Sequence, residues 1–80
     1  MKSNAEQIEI LKKLQHEHLS PIMRIASPLF VNMTERRIAI EKGDGLAGDQ
    51  NYLTFFKQNI EQIKEIAEKA LEFIQSSQTN

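Results

Sequence analysis

The chain has no cysteine and no tryptophan, and only three glycines and two prolines among its 80 residues. Without cysteine there can be no disulfide staple and no thiolate metal site. Two histidines are too few for the usual structural zinc site, so no metal and no other cofactor is expected. Net charge is scarce as well, since ten basic and eleven acidic side chains leave −1. A nucleic-acid binder shows a basic patch or stripe, so no nucleic-acid partner is expected. No apolar run approaches the roughly 20 residues that a membrane span needs, and no membrane partner is expected either. The N-terminus, Met1-Lys2-Ser3-Asn4-Ala5-Glu6, has one lysine and no apolar block after it. That is unlike a signal peptide, and the expected location is cytoplasmic.

What is abundant is Glu, Lys, Gln, Ile and Leu, a helix-forming composition. Eighty residues make one domain at most, and a chain this short buries only about 60% of its unfolded surface. Such folds lean on disulfides, a metal or association. With the first two excluded, a homodimer is the expected route to stability.

The clearest element spans about residues 50–77. Leu53, Phe56, Ile60, Ile63, Ala67, Ala70 and Ile74 recur at spacings of three and four, the a/d stripe of a heptad. Tyr52, Ile66 and Phe73 flank it at g. So wide an apolar face suits a bundle with several neighbours, and the seven stripe residues are the expected interface. Asp49 is the expected N-cap. Glu61 with Lys64, and Glu65 with Lys69, are spaced for ion pairs. The last residues, 76–80, have little to bury.

The first helix is expected over about residues 4–42, capped by Asn4. Ile8, Leu11, His18, Ile22, Ile25 and Leu29 fall on one stripe, flanked by Leu14, Leu19, Ala26 and Met33. The frame runs through Pro21 and Pro28, which predicts a kinked helix. The competing possibility is a stop before Pro28 and a new helix capped at Asn32 or Thr34. Arg37–Glu41 alternates in polarity, but a strand there has no partner and the segment belongs to the helix end. The loop is expected over residues 43–49, with Gly43 as the helix C-cap. It has neither the lysine of a P-loop nor the ligand spacing of a calcium loop. Met23 and Met33 are expected to fill core gaps. Phe55 lies off the stripe, and an exposed Phe55 would offer a partner contact. The expected fold is therefore all-α: a single-domain antiparallel hairpin over residues 1–80, with a kinked first helix, dimerising into a four-helix bundle.

One segment carries chemistry: His16-Glu17-His18-Leu19-Ser20-Pro21-Ile22. It resembles the H-box of the dimerisation and histidine-phosphotransfer domain of sensor histidine kinases. His16, Glu17, Ser20, Pro21 and Ile22 match that pattern. Leu19 departs from a common arginine and His18 from a usual aliphatic residue. The family domain is itself an antiparallel helical hairpin that dimerises into a four-helix bundle. The resemblance implies His16 as phospho-acceptor, Glu17 as the assisting carboxylate, and Ser20 and Pro21 as residues shaping the site. It also implies a two-component phosphorelay role, with a histidine kinase or response regulator as protein partner.

The residue types suit this chemistry. Neutral imidazole is a nucleophile near physiological pH, and a nearby carboxylate can take up its proton during attack. The heptad frame places His16 on the exposed side and His18 toward the core. No glycine-rich ATP boxes are present, so an autonomous kinase is not expected. The alternative function is a small non-enzymatic helical adaptor or inhibitor, bacterial or phage, working by protein–protein interaction. A ligand-binding helical oligomer is a third possibility that no residue directly supports.

Overall fold

A computed structural model describes residues 2–43 and 51–78, and the structural statements here concern those residues. They are almost wholly helical, with no strand among them. Helix α1 spans Asn4–Lys13, a π-helical segment follows at Leu14–Leu19, and α2 spans Ser20–Glu41. These three pieces join end to end into one long first helix. Helix α3 spans Asn51–Gln78 and returns antiparallel to it. The hairpin measures 59 × 18 × 13 Å.

The cap of α1 is Ser3, not Asn4. The Glu6 backbone N–H donates to Ser3 Oγ at 3.2 Å, and Ser3 Oγ donates to the Glu6 carboxylate at 3.3 Å. Ser3-x-x-Glu6 is a capping-box spacing, readable in the sequence. At the far end, the backbone N–H groups of Lys42 and Gly43 donate to the Ile38 and Ile40 carbonyls, each at 3.0 Å. Gly43 has φ 79°, a left-handed conformation that costs glycine nothing and a Cβ-bearing residue more. Asp49, and the loop that follows Gly43, lie outside the described residues.

Pro28 sits inside α2 without ending it. Its missing N–H leaves the Arg24 carbonyl without a helical donor. Both residues are exposed, so water can serve that carbonyl. The helix is interrupted earlier instead, by the π-helical segment.

That segment has a consequence for packing. A π-turn closes i→i+5 bonds and takes one more residue than an α-turn. The side chains before it are therefore rotated against the frame that holds after it. On α2 the expected stripe residues Ile22, Ile25 and Leu29 do face α3. Before the π-turn, Ile10 and Leu14 are half-buried, while Ile8 and Leu11 stand 51% and 63% exposed. The expected unbroken frame through Pro21 is thus displaced by one residue.

On α3 the buried and half-buried side chains are Tyr52, Phe56, Asn59, Ile63, Ile66, Ala70, Phe73 and Ser77, spaced four and three apart, joined toward the C-terminal half by Ala67 and Ile74. The d and g positions of the expected heptad run the length of this seam, and of the a positions Ala67 and Ile74 are half-buried with them. Phe56, Ile63 and Ala70 are taken up within the hairpin, whereas Leu53 and Ile60 remain about half exposed. Asn59, a polar residue in the seam, donates from its side-chain amide to the Phe55 carbonyl at 2.8 Å. The expected pairs Glu61–Lys64 and Glu65–Lys69 do not form. Lys64 reaches Glu68 at 4.0 Å instead, and both side chains are largely exposed, so the pair adds little.

The loop end is closed by aromatics. The Arg36 guanidinium lies 4.5 Å from the Tyr52 ring centroid, a cation–π contact. The Tyr52 and Phe56 rings meet edge to face at 5.6 Å, and Phe55 lies 5.8 Å from Phe56. Phe55 is half exposed and Met33 half-buried, but Met23 is 64% exposed and fills no gap in the hairpin.

Among the described residues only Leu29, Phe56 and Ala70 are buried, and no side chain is fully enclosed. Leu29→Ala is expected to cost about 2–3 kcal/mol, the loss of a packed side chain plus the cavity it leaves. Val31→Ala, two residues on and facing away, is expected to change stability by no more than about 0.5 kcal/mol. Urea unfolding followed by helical circular dichroism tests both.

Candidate functional site

The H-box-like segment coincides with the π-turn. The Ser20 backbone N–H donates to the Gln15 carbonyl, an i→i+5 bond. Pro21 follows at once, with no N–H to donate and a ring that crowds the carbonyl four residues back. Widening the turn there moves the Glu17 carbonyl out of the ring's way. Pro21 is half-buried whereas Pro28 is exposed, so solvent is less able to absorb the disruption at Pro21.

The turn parts the two histidines. His16 is exposed. His18 is half-buried, its ring stacked on Phe73 with centroids 5.0 Å apart and planes at 28°. The Lys13 ammonium lies 5.7 Å from the same Phe73 ring on its way to solvent. Phe73 thus anchors both the π-turn and the end of α1 against α3.

His16 and Glu17 line an open cleft of about 630 Å³ between the first helix and the C-terminal turns of α3. Glu9, Ile10, Lys12, Lys13, Phe73 and Ser77 complete its wall. Two lysines and two glutamates share the wall with His16: the Lys12 ammonium lies 3.8 Å from the Glu9 carboxylate, and an anionic group entering the cleft would compete with Glu9 for it. Glu17 is exposed and makes no hydrogen bond to the His16 ring among the described residues. Ser20 and Pro21 lie just beyond the cleft, half-buried.

Of the expected site residues, His16 and Glu17 therefore share one surface, with Ser20 and Pro21 setting the backbone beneath it. Sequence reasoning missed Lys12, Lys13 and Ser77. The lysine doublet one helical turn before His16 was a usable signal. Ser77 was not legible, because it comes into place only through the pairing of distant helix ends. Among the described residues, no three His, Asp or Glu side chains are grouped to hold a metal ion, and no helix is long and apolar enough to cross a membrane.

Compared with known proteins, the chain matches no family model, no curated protein and no solved structure.

The two histidines are expected to differ in their structural weight. His18→Ala removes a half-buried ring from Phe73 and is expected to lower stability by about 1 kcal/mol. His16→Ala is expected to leave it within about 0.5 kcal/mol of the parent. Thermal unfolding of the two variants beside the parent checks the contrast.

Proposed function

We propose that the chain is a phosphorelay protein of the cytoplasm, accepting a phosphoryl group on His16 and meeting histidine-kinase or response-regulator partners around that residue. The observation that carries this reading is the setting of His16. It stands exposed on a π-turn, at the rim of a cleft lined by Lys12 and Lys13. Local departures of this kind are frequent at functional sites.

In the proposed step, a neutral ring nitrogen of His16 attacks the phosphorus of the donor. The bond between phosphorus and the donor's leaving atom breaks, and the ring's proton passes to the Glu17 carboxylate or to water. Lys12 and Lys13 offset the negative charge of the phosphoryl oxygens. In onward transfer a receiver carboxylate attacks the same phosphorus, the N–P bond breaks, and His16 recovers a proton.

A second reading is a helical adaptor acting only by contact. It is favoured by the exposure of large apolar side chains along both helices, Phe30 at 72% and Leu11 at 63% among them.

Affinity capture from a bacterial lysate with parent and His16→Ala baits, followed by transfer of a labelled phosphoryl group between bait and captured protein, separates the two readings. Phosphotransfer predicts capture of a kinase or receiver domain, and label on the parent that disappears in His16→Ala. A partner held equally by both baits, with no label transferred, would leave the adaptor reading standing and sink the first.

A further inference from the structure

The loop end of the hairpin holds a cation without a counter-charge. Arg36 of α2 is half-buried, and its Nη1 is closed off from solvent with no hydrogen-bond acceptor. The Tyr52 ring, 4.5 Å from the guanidinium, attracts the charge but supplies no lone pair to its N–H groups. No carboxylate among the described residues pairs with Arg36. Glu41 is taken by Arg37 at 2.9 Å, and Glu35 is exposed. Across the seam, α3 carries no acid before Glu61 and has Lys57 in its second turn. An enclosed N–H without an acceptor is costly and rare in folded proteins. A matching anion gains most where water is already partly excluded.

Beside this guanidinium a groove of about 470 Å³ opens between α2 and α3. Met33, Ile40, Leu53 and Phe56 line it together with Tyr52 and Arg36. Small-ligand sites span roughly 300–1,000 Å³ and combine apolar walls with a few polar groups that fix orientation, and the groove has both properties. It opens on one broad side of the hairpin. Leu53 and Ile60 of α3 are exposed on that side, about a quarter turn from the seam. Met23 and Phe30 of α2 are exposed about a quarter turn from it in the same rotational sense, which in antiparallel helices is the same side. The depression that brings Asn32 together with Phe55 lies on the opposite side. The His16 cleft, with Phe73 and Ser77 on its wall, belongs to that opposite side too. Arg36 also stands about 30 Å from His16 along the first helix, at 1.5 Å per residue.

We infer that this groove binds a small organic acid with an aliphatic body, a fatty monocarboxylate, with its carboxylate on Arg36 and its chain along Met33, Ile40, Leu53 and Phe56. With Nη1 enclosed, Nε and Nη2 are the guanidinium edge left to a carboxylate, and that edge matches its two oxygens in parallel hydrogen bonds. One unpaired cation calls for one negative charge. A phosphate monoester, close to a dianion near neutral pH, would need a second cation, and Arg37 is committed to Glu41. Apolar surface is plentiful on this side of the hairpin, so the carboxylate is what singles out the groove. The inference makes no use of His16.

The chain supplies its own reporter, because Tyr52 is its only tyrosine and it has no tryptophan. The probes are decanoate, decanol and acetate: the acid, its body without the charge, and the charge without a body. Titrated into the parent at neutral pH, decanoate is expected to change Tyr52 emission saturably, at concentrations about tenfold or more below those at which decanol or acetate acts. Arg36→Gln is expected to weaken decanoate by about the same factor and to leave decanol unchanged. Arg24→Gln makes the same change in net charge at an exposed position on α2 and is expected to stay within about twofold of the parent. Helical circular dichroism shows whether Arg36→Gln keeps its fold. If it does not, the comparison of decanoate with decanol on the parent decides alone, because it needs no variant. A parent that gives no saturable response to decanoate overturns the inference. So does decanol acting as strongly as decanoate, or a folded Arg36→Gln protein that binds decanoate like the parent.

Discussion

Two helices laid side by side share a line of contact and enclose no volume. That geometric limit governs everything else about this molecule. Each helix can turn only a narrow strip toward its neighbour, so the buried set shrinks to Leu29, Phe56 and Ala70. Apolar residues a quarter turn away have nowhere to go within one chain. A helix in a protein draws most of its stability from packing its apolar face, and a pair of helices is stabilised mainly by the apolar area they remove from solvent. An apolar stripe wider than the seam is therefore a physical incompleteness, which a second layer of helices removes.

The π-turn at Leu14–Leu19 is where local chemistry overrides the repeat. Up to that turn, two sets of apolar residues compete to face α3: Ile8 with Leu11, or Ile10 with Leu14. An α-helical frame carried back from Ile22 and His18 selects the first. One additional residue in the turn selects the second. The same insertion has a chemical effect, because it fixes how the segment's two histidines divide. The ring of His18 is committed to Phe73, and that of His16 is left to solvent at the rim of the cleft. A helix without the extra residue would present a different side of this segment to the cleft.

Much of the architecture was legible from residue spacing alone. The two-helix plan, the passage through Pro28, the glycine at the end of the first helix and the helical nature of Arg37–Glu41 follow from periodicity and capping chemistry. So does the orientation of His18, whose neighbours on the stripe lie after the π-turn. The choice of seam on α3 was not legible. The a, d and g positions there are all apolar or small, apart from Asn59, and a heptad of that breadth does not say which two rows meet the neighbour and which is left outside. The π-turn was hidden for a related reason. Proline announces a disturbance, but whether it becomes a kink, a stop or an inserted residue depends on what the surrounding apolar residues gain. Here Ile10 and Leu14 gain burial that Ile8 and Leu11 give up. The cleft around His16 needed the pairing of α1 with the end of α3, a contact between residues some sixty positions apart that spacing within one helix cannot express.

The separation of the two broad sides bears on how chemistry and association could coexist in so small a chain. In a helix pair every residue is near the surface, and a second copy that covered His16 would block any donor. The apolar side and the cleft lie on opposite sides of the hairpin, so burying one leaves the other open. The division arises from the π-turn. Had the α-helical frame continued, Leu11 and Ile8 would enter the seam, and Ile10 and Leu14 would rotate outward. With the extra residue, Leu11 falls in line with Leu19 and Met23, which extends the apolar side along the first helix, and Lys12, Lys13 and His16 are drawn to the other. One inserted residue thus sorts the first helix into an apolar side and a charged side that carries His16.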